Sequence, residues 1–364
     1  METTRTIALA GNPNVGKSTV FNELTGLKQH TGNWPGKTVS SAQGTTFHNG
    51  KRYSLVDLPG TYSLMAHSKE EEVARDYICF GDADAVIVVC DATCLERNLN
   101  LVLQTLEITG NVVVCVNLMD EASKKRIKID IKEIEKRLGV PVFGTSARNS
   151  GKGLKQMMEG VEKTLSQSNT SKVVPITYAE PIEKAIQILI PVIDKLVITS
   201  RISSRWLALR LLEADEKLIE NSNIYFGVDL MAEKEIRRAV WKAWGILEEN
   251  GYTTEGLQDV IISAILLRAE GICLDTVIYE NEKYQARDRK MDQILTSKIT
   301  GIPIMIGLLA LVFWITIAGA NIPSRLLAGG LFWIEDRLVE LCVGFGIPTT
   351  IYSSLVFGVY RVLA

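Results

Sequence analysis

The stretch Gly11–Thr19 reads GNPNVGKST and follows the apolar run from Ile7 to Ala10. It fits G-x-x-x-x-G-K-[ST], the pattern of a phosphate-binding loop, which requires a strand before it and a helix after it. TIALA reads as a short buried strand and STVFNELTGL as a helix ending near Gly26, so both neighbours are expected. Gly11 and Gly16 let the loop through Asn12, Pro13, Asn14 and Val15 curl until backbone N–H groups point inward at phosphates. The positive end of the helix beginning at Lys17 adds to that field. Lys17 is placed to set its charge between the β- and γ-phosphates, the Ser18 hydroxyl to ligate Mg²⁺, and Thr19 to close the loop. The chemistry therefore starts from a nucleoside triphosphate.

Three further motifs follow in the order that a GTPase requires. Asp57-Leu58-Pro59-Gly60 ends a predicted strand, with Asp57 placed to hold Mg²⁺ through water and the Gly60 N–H to meet the γ-phosphate. Asn117-Leu118-Met119-Asp120 ends the apolar strand VVVCV. A carboxylate at Asp120 accepts hydrogen bonds from N1 and the exocyclic amine of guanine, donors that the matching edge of adenine does not offer. Thr145-Ser146-Ala147-Arg148 follows the last strand, with the Ala147 N–H aimed at guanine O6. Each short motif alone occurs by chance; four in fixed order, each at a strand end, specify guanine. Between the first helix and the second strand, Gln29 to Val39 (QHTGNWPGKTV) is expected to be a switch loop. Gly36, Lys37 and Thr38 are its nucleotide-contacting candidates, and Thr38 is expected to ligate Mg²⁺ and order the loop in the GTP state, with Thr31 as the alternative.

The 364 residues carry 23% charged and 46% hydrophobic residues and a formal charge of -2, so neither disorder nor a global pull toward nucleic acid is indicated. Hydrophobicity is concentrated. Ile299 to Ala320 contains no charge and is long enough to cross a hydrocarbon core of about 30 Å as a helix. Arg287, Arg289, Lys290 and Lys298 precede this span whereas only Arg325 and Arg337 follow closely, which sets its N-terminal side in the cytoplasm. No signal peptide precedes the first strand, in keeping with a head made and kept in the cytosol. The six cysteines form no C-x-x-C pair and read as reduced thiols, Cys90 and Cys115 in buried strands. His30, His48 and His67 fall in expected loops or turns and are assigned no metal.

Strands and helices alternate over residues 1–166, the mark of a mostly parallel sheet with ligand loops at the carboxyl ends of its strands. The fold class is thus an α/β P-loop GTPase domain followed by an all-α bundle and a transmembrane helical segment. The bundle is expected at 175–281, after the polar linker SQSNTS, and a basic juxtamembrane linker at 282–298. A transmembrane helix at 299–320 precedes an amphipathic segment and a second apolar run at 321–364, which reads as cut short inside a membrane region.

GNPNVGKST, GNWPGKTV, DLPGTYSL and NLMD, a helical domain, and then LTSKITGIPIMIGLLALVFW together closely resemble the FeoB family, prokaryotic ferrous-iron transporters with an N-terminal GTPase head. The likeness spans essentially the whole chain. It implies that GTP binding and hydrolysis are coupled to Fe²⁺ uptake across the inner membrane, that the full-length protein is multi-pass, and that the helical bundle stabilises the nucleotide-bound head. Small accessory transport proteins and self-association are further partners of that kind; the lipid bilayer and guanine nucleotide follow from the residues themselves. Ser40 to Asn49 (SSAQGTTFHN) lacks the Glu-Lys-Lys run frequent in the family, a difference without bearing on the chemistry. The further membrane helices of the family lie outside this sequence, so no iron-pathway residue is assigned. A membrane-tethered regulatory GTPase that recruits a protein partner is the alternative reading.

Where many regulatory GTPases carry a Gln after D-x-x-G, this chain has Thr61-Tyr62, so hydrolysis requires another device. Resemblance to potassium-activated GTPases implies one: Asn14 helps hold K⁺ where an arginine finger would otherwise offset charge between the phosphates, with backbone groups near Asn33 and Trp34 completing its shell. The expected catalytic set is Asn14, Lys17, Thr38 and Gly60, with GTP or GDP, Mg²⁺ and K⁺ bound.

Overall fold

The computed structural model describes residues 4–26, 29–33, 40–65, 68–149, 151–166, 173–196, 202–280, 294–295 and 297–363. Residues 167–171 of the polar linker and 282–293 of the basic linker expected at 282–298 lie outside these residues, as do Trp34, Gly36, Lys37, Thr38 and His67. The chain divides into two compact units, Met1–Asn281 and Glu282–Ala364.

In the first unit a seven-stranded sheet has the order β2-β3-β4-β1-β5-β6-β8. Its parallel core consists of β1 (Arg5–Gly11), β4 (Lys51–Asp57), β5 (Ala85–Asp91), β6 (Val112–Asn117) and β8 (Val142–Gly144). β2 (Gln29–Asn33) and β3 (Ser40–His48) extend it as an antiparallel edge. Helices α1 (Lys17–Thr25), α2 (Lys69–Phe80), α3 (Leu95–Ile108), α4 (Met119–Lys124), α5 (Ile131–Leu138) and α6 (Leu154–Ser166) connect the strands. The parallel strands read as continuous apolar runs because both faces are covered. Ile7, Leu9, Ile87 and Val89 face one core with Phe21 and Met157, while Ala8, Val86, Val88 and Val114 face the other with Leu99 and Leu103.

This second core does not stop at the sheet. It runs on through Ile182, Ile186, Trp206, Leu207, Ile236, Ile261 and Ile265 of the helical bundle, formed by α7 (Glu180–Leu196), α8 (Ser204–Glu213), α9 (Glu216–Phe226), α10 (Lys234–Glu249) and α11 (Thr254–Thr276). The joint is α3. Asn98, Leu99, Leu101, Val102, Leu103, Gln104, Thr105, Leu106 and Ile108 are all buried on it, so both sides of the helix are covered. The polar linker between 166 and 175 therefore marks a change of architecture, not a break between separate bodies.

Three local expectations are corrected. Gln29–Asn33, placed in a switch loop by its Gly and polar residues, is strand β2; an edge strand paired on one side tolerates such a sequence. His30 and His48 accordingly belong to strands β2 and β3, not to loops. The all-α bundle expected at 175–281 ends its last helix at Thr276, and Val277–Tyr279 forms β9, which pairs antiparallel with β7 (Ile127–Ile129) in a separate two-stranded sheet. β-branched residues at both strands favour that pairing once each has a partner.

In the second unit a single helix, α12, runs from Lys298 to Gly344 over 47 residues. The span expected at 299–320 and the start of the amphipathic segment after it share this one helix, because the change of composition alters which solvent the helix suits without altering its backbone. Within it Thr300–Ile317 has a mean hydropathy of 2.2 and no buried residue, and among the described residues it is the one segment long and apolar enough to cross a membrane. After Gly346, at φ 68°, the chain folds back through Thr349 to Leu363. Arg361 embraces the buried Glu335 carboxylate with two N–H groups, at 2.6 and 3.2 Å, and the Tyr360 hydroxyl donates to the Leu331 carbonyl at 3.0 Å.

The joint between sheet and bundle contains a buried ion pair, Arg210 Nη1 to Glu213 Oε2 at 2.5 Å, both on α8. Burial lifts Glu213 to about 7; Arg210 pulls it down while Glu107 and Asp215 push it up. A carboxyl raised in the folded state favours folding while protonated, and that advantage is lost as pH rises from about 4.5 to about 7. Glu213→Gln is therefore expected to gain roughly 3 kcal/mol relative to the parent chain between pH 5 and pH 8 in urea unfolding. An unchanged difference would place the Glu213 carboxyl in its ordinary range.

Candidate functional site

The phosphate-loop residues converge at the carboxyl ends of β1 and β4. A cavity of about 590 Å³ is lined by Asn12, Pro13, Asn14, Gly16, Lys17, Ser18, Thr19, Gly60 and Arg148. The loop has its shape because close approaches at Gly11 and Gly16 exclude a side chain and a third, at Gly60, leaves little room for one. A Cβ at Gly11 would lie 2.7 Å from the Val89 carbonyl oxygen, one at Gly16 2.5 Å from Asn117 Nδ2, and one at Gly60 3.3 Å from the Pro13 backbone. Gly16 also has φ 80° and precedes the first residue of α1, a turn that L side chains rarely enter. Asn14 adopts φ 68°, a conformation that Asn tolerates better than most residues, and is exposed at the cavity.

Lys17 and Asp57 meet inside this cradle. The Lys17 ammonium is hydrogen-bonded to the Asp57 carboxylate and, at 2.5 Å, to the Leu58 carbonyl. Burial raises the Asp57 carboxyl above its ordinary value, and Lys17 opposes the shift by charge and hydrogen bond. The Leu58 N–H donates to the Leu9 carbonyl at 2.9 Å and the Thr61 N–H to the Gly11 carbonyl at 3.1 Å, so the DLPG segment is stitched to the phosphate loop by backbone. Both polar atoms of the Asn12 side chain are buried without a partner among the described residues. An acceptor–donor pair so placed, beside a lysine, a serine hydroxyl and a half-buried carboxylate, fits a phosphate chain and its Mg²⁺: Ser18 and Asp57 would hold the metal, which would neutralise phosphate charge.

The Asn117–Asp120 and Thr145–Arg148 segments, expected to read the base, are held by one amide. Asn117 Nδ2 donates to the Val15 carbonyl at 3.1 Å, while its Oδ1 accepts from the Thr145 hydroxyl and the Ala147 N–H, each at 3.1 Å. Leu118 sits at φ 62° to turn the chain into α4, and the Asp120 N–H donates to Ser146 Oγ at 3.2 Å. Met119 is half-buried, and its N–H donates to the Thr145 carbonyl at 3.1 Å. Arg148 is exposed, 3.6 Å from Glu121. Gly36, Lys37 and Thr38 lie outside the described residues; of Thr31 only the strand backbone is described.

Two features here were not read from the sequence. Gln104 Oε1 accepts the Leu64 N–H at 2.5 Å and its side chain also bonds the Ser63 hydroxyl at 3.1 Å, anchoring the loop after Gly60 to α3. A Gln inside the apolar run LNLVLQTLE was the available signal. Next to it, the Thr61 hydroxyl donates to the Ser63 carbonyl at 2.6 Å, and Arg97 lies over the Tyr62 ring at 4.2 Å. Both side chains following Gly60 are thus engaged.

The same order of elements is found in known proteins. Residues 5–161 match the family model for ferrous iron transport protein B, and residues 178–278 match that of the FeoB cytosolic helical domain. The cytosolic domain of the T. maritima FeoB iron transporter in GDP form superposes with a TM-score of 0.62 at 32% identity, over 76% of this chain and 100% of that one. The chain belongs to the FeoB family. An S. thermophilus FeoB G-domain with bound GDP is similarly related, at a TM-score of 0.64 and 32% identity over 76% of this chain and 100% of that one. The Fe(2+) transporter FeoB of Escherichia coli K12 is 33% identical over 345 residues, 92% of this chain and 42% of that protein. This FeoB chain thus spans less than half the length of the curated relatives it matches. Its α/β domain and bundle are the family's G domain and helical domain.

Asp120→Asn is expected to weaken GDP binding by about 100-fold or more, since each charge-assisted hydrogen bond contributes about 1.5–3 kcal/mol, and to favour xanthine nucleotides. Unchanged affinity in a fluorescent-nucleotide titration would show that Asp120 does not read the base.

Proposed function

We propose that this chain is the GTP-binding and GTP-hydrolysing cytosolic head, with the first membrane helix, of an inner-membrane ferrous-iron transporter, and that nucleotide turnover is coupled to Fe²⁺ uptake. The guanine-specific constellation around Asn117 carries the reading, and the 33% identity to Fe(2+) transporters supports the cargo. Guanine nucleotide is its direct partner, and the bilayer its second through Thr300–Ile317. Lys17 would release Asp57 to meet the β- and γ-phosphates, leaving the carboxylate and Ser18 for Mg²⁺, with Thr38 as third protein ligand in the GTP state. The Gly60 N–H would hold the γ-phosphate.

Neither Thr61 nor Tyr62 is available to orient the attacking water, since the Thr61 hydroxyl is spent on Ser63 and Tyr62 stacks with Arg97. The remaining device is at the phosphate loop. Asn14, exposed at the cavity, would contribute a ligand for K⁺, which when bound supplies positive charge at the leaving group. Turnover of GTP by residues 1–280 is expected to be faster in K⁺ than in Na⁺, and Asn14→Ala to abolish the difference; equal rates in the two salts contradict the role of Asn14. In cells expressing the whole gene, Lys17→Ala is expected to reduce labelled Fe²⁺ uptake to the level of a deletion. Undiminished uptake would separate transport from the nucleotide site.

A further inference from the structure

The second, two-stranded sheet does not line the cavity at the phosphate loop, yet it gathers a distinctive surface. The run Lys124-Lys125-Arg126-Ile127-Lys128 leads into β7, and all four of its cations are exposed while Ile127 is buried. Lys128 stands directly opposite Ile278 in the antiparallel register, and Ile278 is 62% exposed. Leu274, one turn before β9, is 74% exposed. Lys128 and Ile278 thus stand side by side on the sheet, with Leu274 just before one strand and three further exposed cations just before the other, the mixed cationic and aliphatic composition of an interfacial membrane-binding face.

The acids nearby leave most of this charge uncompensated. Glu280 pairs with Lys128 at 2.5 Å, Asp275 with Arg137 at 2.7 Å, and Glu121 approaches Arg148 at 3.6 Å. The Asp130 carboxylate accepts the Glu133 N–H at the start of α5. Among the described residues Lys124, Lys125 and Arg126 enter no ion pair within 4 Å, and of the three only Arg126 is felt by Glu280, whose carboxyl is held low by Lys128 first and by the Arg126 charge last. Arg126 is fixed by backbone, at φ 55° with its carbonyl accepting the Glu280 N–H at 3.1 Å, which ties the basic run to the end of β9.

The position along the chain selects the partner. β9 is the last element of the first unit, and Arg287, Arg289 and Lys290 follow it before the apolar segment opens at Thr300, about 20 residues beyond Tyr279. Such a stretch reaches at most about 70 Å. A surface tethered that closely to a bilayer meets lipid headgroups at a high effective concentration, so even weak attraction counts. We propose that Lys124, Lys125, Arg126, Lys128, Leu274 and Ile278 form a docking face for the anionic lipid headgroups of the membrane. Because α4 starts at Met119, beside Asp120, lipid contact at Lys124 reaches the base-reading segment through a single short helix. The inference rests on the membrane reading above for its partner, but its test does not depend on GTP hydrolysis.

The test uses residues 1–280, which form a compact unit of their own and lack the basic linker and the span. Sedimentation with phosphatidylcholine vesicles, with and without phosphatidylglycerol, is measured at low and high salt. Binding is expected only with the anionic lipid, weakening with salt, and falling roughly 100-fold when Lys124, Lys125 and Arg126 are all changed to Gln. Ile278→Ser is expected to weaken it without changing the salt dependence. Unchanged GDP affinity in each variant shows that the fold is retained, and failure of GTP turnover with vesicle binding intact would count against the nucleotide reading alone. Equal binding to neutral and anionic vesicles overturns the proposal, as does binding that survives the triple change. Loss of self-association in the triple variant without vesicle binding would assign the face to a second copy, and patch-dependent RNA binding without vesicle binding would assign it to nucleic acid.

Discussion

The site depends on the side-chain amide of Asn117. It sits at the end of the most buried strand and spends its donor on the phosphate loop, at Val15, and its acceptor on the loop after β8, at Thr145 and Ala147. Three segments far apart in sequence are thereby held in one geometry, and the buried amide leaves none of these bonds to water. Its nearness to Gly16 is what makes glycine obligatory there, since a Cβ would strike Asn117 Nδ2. The loop of Asn12 to Gly16 and the loop after β8 are braced against each other through this residue before any ligand enters.

The second organising element is α3. A helix apolar on one stripe would have closed the sheet and ended the domain; this one is covered on both sides, so sheet and bundle share a core. Gln104 on the same helix holds the loop that follows Gly60, and Arg210 of the bundle lies 3.6 Å from Met65 Sδ on that loop. The loop that follows the DLPG segment is therefore in direct contact with both α3 and the bundle. The buried Arg210–Glu213 pair makes this joint sensitive to charge.

Much of this was legible in the sequence because the parallel strands and the nucleotide loops obey strong local rules. GNPNVGKST, DLPG, NLMD and TSA each fall at a strand end, where the sheet places ligand loops. What the sequence hid was pairing. Gln29–Asn33 has a polar, glycine-bearing composition and becomes a strand only because β3 offers an edge; Val277–Tyr279 continues a helical pattern until β7 captures it. The bracing role of Asn117 is likewise a matter of three distant partners, invisible in a four-residue motif. In α12 the composition changes near residue 320 while the backbone stays helical, so hydropathy marks where the solvent changes and not where the helix ends.

The carboxyl ends of β1, β4, β6 and β8 are proposed to form one guanine-nucleotide site, built by the chain before the ligand arrives. The most direct measurement is a calorimetric titration of residues 1–280 with GDP and, separately, with ADP in the presence of Mg²⁺. Saturable one-to-one binding of GDP with no detectable heat from ADP is the predicted result. Comparable affinity for the two nucleotides would contradict it.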